Sequence, residues 1–251
     1  KCLLDGHGIP VGYGRLREAC QTDVDGTSID MLEEVANQLG VAVEQISIPV
    51  DHAFLPSAAA LPALMVTRHR DGSLHFVIVW RRHGQWLQVM DPTIGRRWVR
   101  CRDFSEEIYR HTQGVSGEEW RSWAESEDGL GPLKQRLVAA TGSDAHAGTL
   151  IDKSRAIPGW FGLGTLDAAL RLVQSMISAG GIRRGRQASK MLEALFERTC
   201  RATAGKQETD ETVDIYALIS PHYWSVTPDP TTTDPDHPKL QLHGAVMLRV
   251  L

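Results

Sequence analysis

A histidine held by a carboxylate can serve as a base: the carboxylate takes one ring N–H and fixes the tautomer, and the other ring nitrogen is left to accept a proton. His75 and Asp91 can be brought into that arrangement by a single hairpin. Residues 74–95, LHFVIVWRRHGQWLQVMDPTIG, hold two β-branched and aromatic runs, 75–81 and 85–91, joined by Arg82-His83-Gly84. A three-residue loop with Gly in its last place predicts a type I turn followed by a left-handed residue. If Arg81 then faces Gln85, Val79 faces Leu87, Val77 faces Val89 and His75 faces Asp91. On the other face Trp80 meets Trp86 and Phe76 meets Met90. Directly opposed residues have Cβ atoms about 4.5–5.5 Å apart, within reach of an imidazole and a carboxylate. A slip of one residue would send every side chain to the opposite face. The same residue types also serve as a plain core histidine and as a turn-forming Asp before Pro, so the register carries the chemical reading.

Such a dyad needs a nucleophile, and the cysteines at 2, 20, 101 and 200 are the candidates within the chain. Cys2 lies beside two leucines before a Gly-rich turn and reads as a small core residue. Cys20 follows a short charged helix. Cys101 sits among arginines but at a solvent-facing strand position, and Cys200 belongs to a distant helical region. None opens a helix from a Gly-flanked turn, the setting that activates a thiol. The four show neither CxxC pairing nor metal-ligand spacing with histidine, which predicts a reducing compartment and no metal site. Gly12-Tyr13-Gly14 is too short to cradle a phosphate and no Walker motif is present, so no cofactor is expected in this segment.

The elements that must position the pair follow from periodicity. Residues 1–5 read as a last helical turn closed by Gly6 and Gly8, and 15–20 as a short helix. Asp25-Gly26 makes a turn, and Thr27 with Asp30 resembles a capping box. That box opens a helix with Ile29, Leu32, Val35, Ala36 and Leu39 on one face and Gly40 at its end. Strands are predicted over 41–48, 61–67 and 97–101, and a short helix over 104–109. Together these predict an α+β domain built on a central antiparallel sheet.

From Ser116 the pattern becomes helical: Ser116 and Glu119 form a capping box, 165–179 is amphipathic, and Gly180-Gly181 stops it. That Gly-Gly pair could also be a processing site, but its place after an amphipathic helix favours a cap. A basic run, Arg183, Arg184, Arg186 and Lys190, opens a further helix to about 204, and the two helices are expected to form an antiparallel hairpin. Residues 206–212 read as a linker, and 216–219 and 240–251 as strands around a Pro- and Thr-rich loop at 227–238. The domain boundaries expected are therefore 1–114, 115–205 and 206–251.

Composition narrows the function classes. The chain has 251 residues, is 42% hydrophobic and 23% charged, and carries a formal net charge of -4, the balance of a globular protein with no call for nucleic acid. Arginines at 81, 82, 96, 97, 100 and 102 cluster around the hairpin, but Asp103, Glu106 and Glu107 follow at once, which reads as a mixed solvated face. No stretch has the 18 or so apolar residues of a membrane span. The chain starts without Met and stops on an apolar run, so it is expected to be a segment of a longer polypeptide.

In order and spacing, Gly8, Leu16-Arg17-Glu18, Asp25-Gly26-Thr27-Ser28, Leu39-Gly40, Leu61-Pro62-Ala63-Leu64, His75-Phe76-Val77 and Asp91-Pro92-Thr93-Ile94-Gly95 together resemble the peptidase C39 family over residues 1–113. These are papain-like cysteine peptidase domains at the N-terminus of bacteriocin-processing ABC exporters. The resemblance implies cleavage of a leader peptide after a double glycine, at the cytoplasmic face of a bacterial inner membrane, coupled to export of the cargo. It implies His75 as general base and Asp91 as the carboxylate that orients it. The family's nucleophilic Cys and oxyanion-hole Gln would fall upstream of Lys1, so the chain by itself is expected to be inactive, and Leu74 stands where the family commonly has Gly. The partners implied are a leader-bearing peptide and the transmembrane and ATP-binding domains of an exporter, with ATP held there and a homodimer formed through the transporter. The 115–205 region and the tail would connect to that exporter core. Two other readings stand beside this one: a C39-like domain that binds cargo without cutting it, and an interaction module docking a partner through residues 183–190.

Overall fold

In the computed structural model, which describes residues 1–20, 27–69, 71–204, 215–232 and 238–251, the chain divides into two units. One is Lys1–His111 with Gly244–Leu251, and the other is Thr112–His243. The chain thus returns to its first unit at the end, and the units do not follow the expected boundaries at 114 and 205. The expected Asp25-Gly26 turn, the 206–212 linker and part of the 227–238 loop lie outside the described residues.

The first unit opens with helices α1 (Cys2–Gly6), α2 (Tyr13–Ala19) and α3 (Ile29–Gln38). The α3 cap is Ser28, whose hydroxyl accepts the Met31 N–H at 3.2 Å, one residue later than the expected Thr27. Gly40 ends that region with φ +85°, as its left-handed role requires. Strands β1 (Val43–Ile48), β2 (Ala63–Arg68), β3 (Leu74–His83), β4 (Trp86–Asp91) and β5 (Gly95–Arg100) follow, then helix α4 (Cys101–Glu107).

β6 (His111–Ser116), which starts on the last residue of the first unit's first segment, leads into the second unit's helices α5 (Gly117–Glu125), α6 (Glu127–Thr141), α7 (Asp144–Arg155), α8 (Phe161–Ser178) and α9 (Arg186–Ala204), then strand β7 (Val226–Pro228) and strand β8 (Lys239–Val250), whose residues from Gly244 belong to the first unit. The Ser116–Glu119 capping box is present with both of its bonds, and α8 and α9 pack together as the expected pair. Residues 216–219 are turns and bends, not the expected strand. Tyr216 instead sets its ring edge-on to Trp224, 6.0 Å between centroids, so its aromatic bulk fills a helical core. Leu166, Leu170 and Val173 of α8 are fully buried there.

The antiparallel sheet of the first unit runs β1-β8-β2-β3-β4-β5. The last residues of β8 enter between β1 and β2, with Ala245 opposite Ile48 and Met247 opposite both Ile46 and Met65. Register then assigns two faces. Ala63, Met65, Thr67, Val77, Val79, Leu87, Val89 and Asp91 share one, and all are buried; Phe104 of α4 is buried too and meets Phe54 at 5.8 Å. Leu64, Ile78 and Met90 share the other, which α1, α2 and α3 cover through Leu3, Leu4, Leu16 and Val35.

Candidate active site

The hairpin that carries the pair differs from its expected form in two linked ways. The loop is two residues, Gly84-Gln85, with Gly84 at φ +59°, so His83 faces Trp86, Arg82 faces Leu87 and Arg81 faces Gln88. Glycine with positive φ at the first loop position suits a II′ turn, whose twist matches that of the strands better than the expected type I turn. Continued along the ladder, that register would set Asp91 opposite Ile78 and on the face away from His75. A bulge between Val79 and Arg81 prevents this: it inserts Trp80, and below it Val79 faces Val89 and Ile78 faces Met90. The extra residue restores parity, so His75 and Asp91 emerge on one face, as diagonal neighbours and not the directly opposed pair expected. Trp80 meets neither Trp86 nor the site; its ring lies against Gly6, where an added Cβ would come within 2.1 Å, and 5.8 Å from the His7 ring.

The pair is in contact, with His75 Nε2 3.4 Å from Asp91 Oδ2. The side chain of Asp91 is 2% exposed and that of His75 is 18% exposed, so the carboxylate is enclosed and the imidazole opens to solvent. Asp91 divides its oxygens: Oδ1 accepts the Thr93 N–H at 2.9 Å, and Oδ2 faces the ring. One side chain thus both closes the turn at Pro92 and meets the imidazole. Burial pushes its carboxyl upward. The Thr93 N–H, the bond to and charge of His75 and the Ile94 N–H outweigh burial and hold it below the usual carboxylate range. Arg97 approaches Oδ2 at 4.0 Å but gives its guanidinium to Glu107 in a two-pronged pair. The bond to Glu107 raises Arg97 further, so it stays a fixed cation beside the carboxylate.

Two further residues frame the imidazole, and neither was found from the sequence. Thr67 lies directly opposite His75 on β2, with Oγ1 3.3 Å from the ring Nδ1 and 3.5 Å from Nε2. His69 stacks its ring on that of His75, 3.7 Å between centroids at 9°. It is held at the hairpin turn, where its N–H donates to the Ser73 carbonyl at 2.8 Å. Thr67 was within reach of a register sum across the β2–β3 hairpin. His69 lies beyond the ladder, where strand periodicity gives no signal.

Among the described residues the partners of His75 are Thr67, His69 and Asp91, and no cysteine is among them. Burial raises the thiols of Cys20 and Cys101, with a small opposing pull from the N-terminal ammonium and Arg82 respectively, and pushes Cys200 up to about 11. Cys101 starts α4 and does not occupy the expected strand position. Cys2 and Cys20 line a cleft of about 610 Å³ with Leu16, Phe76, Ile78 and Met90. That cleft lies on the helix-covered face of the sheet, and neither His75 nor Asp91 lines it. Among the described residues no group of His, Cys, Asp and Glu is placed to hold a metal ion. No helix among them is long and apolar enough to cross a membrane. Arg183, Arg184, Arg186 and Lys190 are exposed at the start of α9, away from any of these groups in sequence.

Residues 1–112 match the Peptidase C39 family, a span within one residue of the first segment of the first unit. The resemblance read from its motifs therefore holds over that segment. Among solved structures, a double glycine motif protease from an AMS/PCAT transporter, in complex with the leader peptide, is 16% identical; the match covers 42% of this chain and 71% of that one, with a TM-score of 0.37. The peptidase domain of Streptococcus ComA, a bi-functional ABC transporter involved in a quorum sensing pathway, is 19% identical over 42% of this chain and 78% of its own, with a TM-score of 0.38. No curated protein matches the chain.

Proposed function

We propose that the first unit is a papain-like cysteine peptidase domain that cuts a leader peptide after a double glycine, as part of a peptide exporter at the cytoplasmic face of a membrane. The observation that carries this is the His75–Asp91 contact: an enclosed carboxylate against a partly open imidazole, on a segment that matches the Peptidase C39 family. In the proposed chemistry, His75 takes the proton of a thiol and returns it to the leaving amine. Asp91 holds the ring and offsets the charge that forms on it. Thr67 and His69 limit how far the ring can turn. The motif order of the family would put the thiol ahead of Lys1; burial disfavours ionisation of Cys20, Cys101 and Cys200, and Cys2 lines the cleft on the face of the sheet away from His75. The transmembrane and ATP-binding domains, with the ATP itself and any pairing of two copies, would belong to the adjoining exporter.

The test is alkylation of the native protein at mildly acidic pH, with labelled cysteines located by peptide mapping. Rapid labelling ahead of Lys1, slowed when His75 is replaced by Ala, is the expected result. Uniformly slow labelling at every cysteine would overturn the peptidase reading. A second reading is a domain that binds leader-bearing cargo without cutting it. It predicts a leader peptide retained intact on the protein, with binding unchanged by His75→Ala.

A further inference from the structure

The face of the sheet that carries Ile78 and Met90 is covered by helices at one end and bare at the other. Across the bare end, residues line up in rows: His83, Trp86 and Arg100 form one, and Arg81, Gln88 and Trp98 the next. Arg96 follows opposite Met90. Trp86 is 44% exposed and Trp98 47%, and Arg81, His83, Arg96 and Arg100 are exposed as well. Arg100 lies over the Trp86 ring, 5.5 Å from its centroid, and Arg81 donates to the neutral Gln88 side chain at 2.9 Å. Among the described residues no carboxylate pairs with Arg81, Arg96 or Arg100. Arg97, one residue away but on the opposite face, pairs with Glu107. Glu107, one of the carboxylates that in sequence balance these arginines, thus serves the other face.

The strand beneath this surface is an edge. Among the described strands β5 pairs with β4 alone, which leaves backbone N–H and C=O groups along 95–100 available for another strand. Charged side chains are a common guard for such an edge, and that accounts for Arg96 and Arg100. It does not account for two half-open indoles standing between and beside them.

We propose that this surface binds an acidic peptide segment of a partner protein in extended conformation, added as a strand along β5. Side chains alternate along a strand, so an added segment would set every second residue over the row Arg96, Trp98, Arg100. The complementary pattern is a carboxylate, an apolar side chain and a second carboxylate at alternate positions. A lipid headgroup would meet the guanidiniums but would leave the backbone edge unfilled, so the peptide is the better fit. His75 and Asp91 lie on the other face, so this segment is distinct from the peptide the dyad is proposed to act on, and the inference does not depend on peptidase activity.

The probe is a capped peptide, Ser-Glu-Thr-Val-Thr-Glu-Ser, titrated into the whole chain with tryptophan fluorescence and amide hydrogen exchange as readouts. Expected are a saturable fluorescence change, slowed exchange at 95–100, and about tenfold weaker binding for Arg96→Gln with Arg100→Gln, the loss of two exposed charge pairs of modest strength. Trp98→Ala should weaken it as well, and Arg184→Gln, exposed in the second unit, should not. Equal binding of the peptide with both Glu replaced by Gln would overturn the proposal. So would no binding at millimolar peptide, or binding only to phosphatidylserine vesicles with the exchange of 95–100 unchanged.

Discussion

Each unit buries one carboxylate among polar partners, and the two are built to opposite ends. Asp167 of α8 receives Arg136 at 2.7 Å, Arg171 at 2.6 Å and the Ser225 hydroxyl at 2.7 Å, so its charge is answered on every side by groups that never lose a proton. Asp91 receives the backbone N–H groups of Thr93 and Ile94, a guanidinium at 4.0 Å that is committed elsewhere, and an imidazole at 3.4 Å. A buried carboxylate locked to two arginines can fix packing but cannot take part in proton transfer. A buried carboxylate facing a single titratable ring, itself part-open to solvent, can. The difference separates a structural ion network from a candidate catalytic one without reference to any relative.

Replacing His75 with Ala is the change expected to have the largest effect. If His75 is the general base proposed above, its loss should lower leader cleavage by about 10²–10⁴-fold, measured on the native protein. Asp91→Asn should also lower cleavage while leaving the melting of the first unit nearly unchanged, because an amide oxygen can still accept the Thr93 N–H. The reverse pattern, full cleavage with a strongly destabilised unit, would place Asp91 with Asp167 as a structural residue.

The second unit should respond in the opposite sense. Asp167→Ala removes the carboxylate that Arg136, 4% exposed at its side chain, and Arg171 both meet, and should destabilise the unit by about 3–5 kcal/mol. Denaturant unfolding followed by tryptophan fluorescence would measure it, since Trp160 and Trp224 stand in that core. Cleavage chemistry in the first unit should persist wherever the variant still folds.

A smaller effect tests the bulge that puts the dyad on one face. Gly6 leaves room for the Trp80 ring, and Gly6→Ala would force a methyl to within 2.1 Å of it. Overpacking of this kind costs about 1–3 kcal/mol. If Trp80 sets the parity of the hairpin, the variant should also loosen the His75–Asp91 contact, seen as displaced His75 ring signals by NMR at a fixed pH.

How much of this was legible in the sequence follows from the range of the signals. The antiparallel sheet, α3, the Ser116 capping box and the α8–α9 pair all rest on local periodicity and caps, and they are present. The His75–Asp91 contact was anticipated through a register that is off by two residues at the dyad. The shorter loop and the Trp80 bulge were both missed, and together they preserved the parity on which the inference rested. Nothing in the alternation of 74–91 marks a bulge, because Trp80 is as apolar as its neighbours and its place is decided by Gly6, 74 positions earlier in the chain. Helix α6 was missed because Gly129, Gly131 and Pro132 interrupt its pattern, although α7, α8 and α9 supply the packing that holds it. The entry of residues 245–250 between β1 and β2 is a pairing across some 200 residues, which no local rule reports.

The smallest expected effect separates the units by pH. His243, between the hydroxyls of Thr112 and Thr227 at 3.1 Å each, has no carboxylate partner, and burial holds its pKa below the ordinary value. A folded-state value below the unfolded one means that the unfolded chain binds the proton first. The stability tied to His243 is therefore full above about 6.5 and is lost as pH falls from there through the lower folded value. Asp91 is also depressed, but for a carboxylate this means the stability it lends is full above about 3.9 and lost only as pH falls through its folded value. Between pH 6.5 and 4.5 or so the His243 contribution to the second unit should thus weaken while the Asp91 contribution to the first persists. Replacing His243 with Asn should flatten that part of the pH–stability curve, and Asp91→Asn should leave it as it was. Because burial also depresses His111, which falls in the first unit, His111→Asn is the matching control: it should remove the loss of first-unit stability over the same range. If the first unit still weakens between those values with both His111 and Asp91 replaced, the assignment of that loss to His111 is wrong.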